Sequence, residues 1–225
     1  MPDPAPLIGR LLPPAAVPVE AFEDIDGEPP FPGEQDLIAA AVPRRRQEFI
    51  TARRCAREAL GRLGFPQVAL RPGPRREPLW PAGAVGSITH CEGYRAAAVA
   101  RSSDLAAVGI DAEPHGPLPA GVLGQVTAAD DAGLLDRLRD SDASIHWDRL
   151  LFSAKEAIYK AWYPLTGRWL GFEDAYLSID PDAGAFAGHL LVPGDRRDGG
   201  AGLSVLHGRY LVDRGLVLTA VTVAR

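Results

Sequence analysis

A chain of 225 residues, 46% hydrophobic and 24% charged, is long enough for one large or two small globular units with a real core. A net charge of −5 argues against a general nucleic-acid binder and gives no attraction to a membrane surface. Two widely separated cysteines, Cys55 and Cys91, argue against a disulfide framework or structural zinc, and no apolar run or leader pattern marks a membrane span or signal peptide; a reduced, cytoplasmic protein is expected.

In chain order, residues 1–33 are Pro-rich and read as mostly irregular, and 33–43 as a short helix closed by Pro43. Residues 44–64 predict the clearest helix of the first half, with Phe49, Ala52, Ala56, Leu60 and Leu63 at helical spacing and Gly64 as its stop. A loop over 71–83 leads to three strands at 85–90, 95–101 and 105–113. Helices are then predicted over 127–140, with Thr127 as N-cap, and over 146–162, stopped by Pro164. Strand candidates follow at 174–180, 185–192, 208–213 and 215–224, the last two as a hairpin. Each half therefore runs from a long helix into strands, which predicts two similar α+β halves, 1–106 and 107–225.

Three stretches carry candidate chemistry. On the strand VGIDAEP (108–114), Val108, Ile110 and Ala112 share one face, and Asp111 and Glu113 share the other. Two neighbouring carboxylates suit a hard cation such as Mg²⁺, and equally a solvated strand face. In FSAKEAIYKAW (152–162), Glu156 and Lys160 lie one turn apart, away from the stripe of Leu151, Ala154, Ile158, Ala161 and Trp162. Lys155 sits at the edge of that stripe. A surface ion pair and a snorkelling stem would account for these positions. They would not account for Lys155 and Lys160 being the chain's only lysines among 24 basic residues. A compact ammonium differs from a guanidinium where it meets one phosphate oxygen in a tight site. The third stretch, ITHCEGY (88–94), ends a strand at His90. Ser87, His90 and Asp111 could suggest a hydrolase triad, but no G-x-S-x-G elbow surrounds Ser87. Arg46, Arg53 and Arg57 lie near one side of the first helix and form either a solvated basic face or a phosphate clamp. Neither a Walker A loop nor GxGxxG is present, so any nucleotide would be held by scattered cations and a metal.

Together and in this order, GSITHC (86–91), VGIDAEP (108–114) and FSAKEAIYKAW (152–162) resemble the three signature motifs of the 4′-phosphopantetheinyl transferases of the Sfp/EntD type. The flanking RRRQEFITARRCAR and KAWYPLTGRWLGFEDA resemble the subgroup serving polyketide and non-ribosomal peptide synthases in GC-rich bacteria. The resemblance covers about residues 40–180 and the final strands; the first 20 residues and the loop at 193–203 match little. It implies an intramolecular pseudo-dimer binding coenzyme A and Mg²⁺ in the cleft between its halves. By motif position Asp111, Glu113 and Glu156 would be metal ligands, and Lys155 and Lys160 would meet the coenzyme phosphates. Arg45 and Arg53 would hold the 3′-phosphate region, and Thr89 and His90 would contact the nucleotide end. The loop at 71–76 would cover the adenosine through Arg71 or Arg75, although the subgroup's K-G-D-K is here the longer RPGPRRE. The implied reaction loads an acyl or peptidyl carrier protein, with Asp111, Glu156 and Lys160 catalytic and a monomer sufficient. The rivals are an Mg²⁺-dependent hydrolase of coenzyme A or a nucleotide pyrophosphate, and a non-catalytic module binding coenzyme A or a carrier.

Overall fold

The structure is a computed structural model, and it describes residues 6–128 and 131–225. Its first half is a three-stranded antiparallel sheet, β1 (Ala16–Ala21), β2 (Ala84–Cys91) and β3 (Tyr94–Arg101), in the order β1-β3-β2. Helix α1 (Pro43–Arg62) lies across it. Small residues on the helix, Ala52, Cys55, Ala56 and Ala59, are buried, and several of them pack with Val19, Ala97 and Val99 of the sheet. The second half is a five-stranded antiparallel sheet in the order β4-β8-β7-β6-β5, formed by β4 (Leu105–Pro114), β5 (Ala175–Asp180), β6 (Ala185–Leu190), β7 (Val205–Asp213) and β8 (Leu216–Ala224). Short α2 (Leu123–Val126) and α3 (Asp131–Ser141) precede the long α4 (Trp147–Thr166), which covers this sheet. The molecule is thus two α+β halves, each a sheet with one long helix.

Glycine sets how closely α4 approaches. A side chain at Gly109 would put its Cβ 2.0 Å from the Ala157 carbonyl oxygen and 2.7 Å from the Ala161 nitrogen. The glycine of V-G-I-D therefore lets the helix backbone rest on the strand backbone. That contact brings the 153–160 segment over the polar face of β4.

The halves meet along β2 and β4. Ser87 Oγ accepts a hydrogen bond from Ile110 N at 3.1 Å, and Thr89 Oγ1 accepts one from Ala112 N at 3.0 Å. Two hydroxyls on one face of β2 thus satisfy backbone donors of β4 that would otherwise be buried unpaired. Behind this seam, Ala96, Ala98 and Ala100 of β3 share a core with Val108, Ile110 and Ala112 of β4.

Residues 6–33 are mostly irregular, as read, apart from one 3₁₀ turn and β1, which pairs along β3. Its Pro18 is tolerated because β1 is an edge strand with β3 as its one sheet neighbour. Three expectations at element ends need correction. Pro43 does not close a helix but opens α1, where its missing N–H is not needed; residues 35–38 form a single 3₁₀ turn. Pro164 does not stop α4, which runs on to Thr166 and ends at Gly167 in the left-handed region, φ 65°. A proline so near the end removes one internal hydrogen bond, and Gly167 N still reaches Tyr163 O at 2.8 Å. Thr127 is no cap for α3; its hydroxyl donates to Leu123 O at 3.0 Å and closes α2. The predicted helix over 127–140 also includes residues 129 and 130, which lie outside the described residues.

Candidate active site

The alternation on β4 turns Asp111 and Glu113 toward α4, while Val108, Ile110 and Ala112 enter the core. Asp111 is buried and fully engaged. Its Oδ1 accepts from Lys160 Nζ at 2.7 Å and from Thr89 Oγ1 at 3.4 Å, and its Oδ2 accepts from Ser153 Oγ at 2.8 Å. Lys160 also donates to Ile110 O at 3.0 Å. Glu113 accepts from Arg149 Nη1 at 2.8 Å, and Arg149 donates further to the carbonyls of Gly116 and Pro117.

Glu156 differs from both. It has no ion pair within 4 Å among the described residues. Burial pushes its carboxyl above the ordinary carboxylate value; Lys160 opposes this, and Asp111 and Glu113 add to it. Glu113 is raised as well, by burial and then by Asp111, with Arg149 opposing. Glu156 stands where two cavities meet. One, of about 130 Å³, has aromatic walls from Tyr159, Trp169 and Phe172. The other, of about 250 Å³, lies between the halves and is lined by Arg75, Arg76, Trp80, Ser87 and Lys160. Glu156 and Tyr159 line both, and the buried Tyr159 hydroxyl has no hydrogen-bond partner among the described residues.

A second cluster, on α1 and the end of β2, is basic. Arg45 Nη1 lies 2.6 Å from His90 Nε2 and 3.4 Å from Glu48 Oε2. Burial, then the charge of Arg45, pushes His90 down to about 4, so the ring is neutral near pH 7. Arg53 stacks 3.5 Å over the Phe49 ring and donates to Leu70 O. Burial lowers its pKa to about 10, with Glu34 opposing and Arg57 and Arg45 adding to the fall.

Three predicted ligand contacts are placed differently. Lys155 was expected at the coenzyme phosphates, yet it is 4% exposed. Its ammonium donates to Asp131 Oδ2 at 2.5 Å and to Phe172 O at 2.8 Å. A lysine at the edge of an apolar stripe turns inward when a buried carboxylate meets it, and Asp131 is wholly buried at the start of α3. Thr89 was expected at the nucleotide, but it is buried in the seam with its hydroxyl spent on Ala112 N and Asp111. Arg71 turns from the cleft to Asp36, gripping both carboxylate oxygens at 3.0 and 2.7 Å, and to Gly33 O. Arg75 lines the cleft and crosses to the second half, 5.4 Å over Trp169.

Several partners escaped the sequence reading. Arg149 precedes Glu156 by two helical turns and so lies on nearly the same side of α4, a spacing that could have flagged it. Ser153 is likewise one turn before Glu156. Asp131 and Glu48 carry no local signal.

The predicted metal set is not assembled as a three-ligand group: among the described residues no three His, Cys, Asp or Glu side chains are gathered to hold an ion. Lys160 and Arg149 occupy oxygens of Asp111 and Glu113 instead. The donor chemistry does fit Mg²⁺. All three groups are carboxylates; burial raises Glu113 and Glu156 first, Asp111 adds to both, and that added negative charge is what a divalent cation would relieve.

The family model of the 4′-phosphopantetheinyl transferase N-terminal domain matches residues 33–100, and that of the 4′-phosphopantetheinyl transferase superfamily matches 107–199. The chain is 53% identical over 221 residues to the 4′-phosphopantetheinyl transferase Svp of Streptomyces mobaraensis, spanning 97% of this chain and 89% of that protein. It is 48% identical to Npt of Nocardia iowensis, across 97% and 100% of the two chains. To PptT of Mycobacterium tuberculosis it is 50% identical over 206 residues, across 90% and 89%.

Proposed function

We propose, from the premise that this chain belongs to the 4′-phosphopantetheinyl transferase superfamily, that it moves the 4′-phosphopantetheine arm of coenzyme A onto a serine of an acyl or peptidyl carrier protein. The observation that carries the assignment of roles is Glu156, a raised and unpaired carboxylate at the junction of an aromatic cavity and a basic cleft. The carrier's serine oxygen attacks the pantetheine-side phosphorus of the pyrophosphate. A new P–O bond forms as the bridging P–O bond breaks, and 3′,5′-ADP leaves. Glu156, which has no ion pair within 4 Å among the described residues, takes the serine proton. Lys160, held by Asp111 and Ile110 O beside Glu156, offers positive charge to the pyrophosphate oxygens. The aromatic cavity suits the apolar stretches of the pantetheine arm, and the free Tyr159 hydroxyl suits its amides. Arg45, Arg53 and His90 form the end that receives the 3′-phosphate, with Arg75 across the cleft.

Asp111, Glu113 and Glu156 would hold Mg²⁺, which when bound supplies neutralisation of pyrophosphate charge. No helix among the described residues is long and apolar enough to cross a membrane, and the reading is of a cytoplasmic enzyme. One chain supplies both walls of the cleft, so a monomer suffices. The polyketide and non-ribosomal peptide carriers are the partners the motif context favours.

The test is intact-mass measurement of a carrier domain after incubation with coenzyme A and Mg²⁺. The mass should rise by one phosphopantetheine arm, and a carrier whose modifiable serine is alanine should gain nothing. An unchanged mass across acyl and peptidyl carriers would refute the reading.

A further inference from the structure

The basic cluster of the first half is organised around a carboxylate with no part in the proton transfer at Glu156. Glu48 stands among arginines in α1, and four cationic or imidazole side chains from three elements surround it. Its Oε1 accepts from Arg44 Nε at 3.2 Å and lies 3.9 Å from Arg95 Nη2. Its Oε2 lies 3.4 Å from Arg45 Nη1 and 3.7 Å from His90 Nδ1.

The exposures are layered. The Glu48 side chain is 12% exposed, whereas Arg45 above it is 47% exposed and Arg44 is 65% exposed. Beneath, Arg95 is buried, its two terminal nitrogens engaged by Asp24 at 2.7 Å and by Cys91 O at 2.8 Å, while its Nε has no partner among the described residues. Asp24, rather than Glu48 at 3.9 Å, is therefore the near counter-charge of Arg95. What Glu48 does control is the rim. Arg44 and Arg45 are sequence neighbours whose like charges drive them apart, and a carboxylate beneath draws both to one place. It also orients His90. Arg45 Nη1 lies 2.6 Å from Nε2 and 3.3 Å from Nδ1; an arginine can only donate, so the neutral ring that accepts at the nearer Nε2 is the tautomer with its proton on Nδ1, 3.7 Å from Glu48 Oε2. Among the described residues only Nη1 of Arg45 makes polar contacts and the side chain is 47% exposed, so its Nε and Nη2 are open to a phosphate monoester.

We propose that Glu48 is a positioning residue that fixes Arg45 and His90 for a terminal phosphate, and so sets the preference for coenzyme A over the same molecule lacking its 3′-phosphate. The inference rests on the reading of Arg45 and His90 as the nucleotide end of the site.

Calorimetric titration of coenzyme A and 3′-dephospho-coenzyme A into the full chain tests it and requires no carrier. The wild type should bind coenzyme A more tightly. Glu48→Ala should weaken coenzyme A about tenfold, the scale of one charge-assisted contact. It should leave the dephospho form within about twofold, and Glu48→Gln, which keeps an accepting oxygen, should fall between. With saturating coenzyme A, kcat for carrier loading should be unchanged. An unaltered ratio between the two ligands in a folded Glu48→Ala protein would overturn the inference, as would equal weakening of both. If Glu48→Ala does not fold, the ratio in Glu48→Gln decides in the same way. A wild type that does not distinguish the ligands would remove the nucleotide-end reading itself, and this inference with it, while carrier loading would stand.

Discussion

At the residue scale, Glu156 and His90 show how position sets protonation. Glu156 keeps its full acceptor capacity because Lys160 is drawn to Asp111 instead. Glu156→Gln keeps the shape and removes the base, so kcat should fall by about 10² to 10⁴. Affinity for coenzyme A, measured by calorimetry, should change far less. A kcat near that of the wild type would assign the proton to another group. His90 makes a prediction about stability. Its folded pKa is about 4 against 6.5 for a free imidazole, so below pH 6.5 the unfolded chain takes up a proton that the folded chain refuses. Its contribution is complete above pH 6.5 and declines as pH falls toward 4. The difference in urea midpoint between pH 7 and pH 5 should therefore be smaller in His90→Asn than in the wild type. An equal or larger difference would contradict a half-buried ring kept neutral in the folded chain.

At the element scale, the adjacent lysine and glutamate of α4 serve different ends. Lys155 ties α4 to the start of α3 and to the turn before β5, since Asp131 also accepts from Leu177 N and Ala128 N. Removing one partner of such a buried pair costs about 3–5 kcal/mol. Lys155→Met should therefore lower the denaturation midpoint sharply, while Lys160→Met should cost less stability and more activity. The reverse order, read from denaturation and carrier-loading rates, would restore Lys155 to the phosphates. This division was not legible in the motif. Helical spacing separates Lys155 from the Glu156–Lys160 face, but the partner that captures it lies 24 residues earlier, on another helix. What was legible followed from short-range geometry: Asp111 and Glu113 share a strand face, and Glu156 and Lys160 share a helix face; the close seat of α4 on Gly109, which brings the helix over β4, was not. Prolines misled where context decides their effect, opening α1 at Pro43, sitting in the edge strand β1 at Pro18, and being absorbed in the last turn of α4 at Pro164.

At the scale of the whole molecule, the seam between β2 and β4 is both structural and functional. The two sheets share a core across it, and Ser87 and Thr89 satisfy Ile110 N and Ala112 N. Replacing Ser87 by Ala and Thr89 by Val together leaves two buried donors unpaired, at about 1–3 kcal/mol each. The doubly substituted protein should unfold at lower denaturant in one transition seen equally by fluorescence and circular dichroism. Two separate transitions in the wild type would show that the halves are independent. The two-half arrangement was readable from the order of elements, but the hydroxyl bridge was not, since a serine and a threonine in a strand look like an ordinary polar face.

The central claim is that a carrier's serine, rather than water, is the nucleophile that Glu156 activates. The most direct measurement is release of 3′,5′-ADP from coenzyme A with increasing carrier. Release should be negligible without carrier and should match, mole for mole, the phosphopantetheine arms gained. Release at the same rate with no carrier present would contradict the account and make the protein a hydrolase.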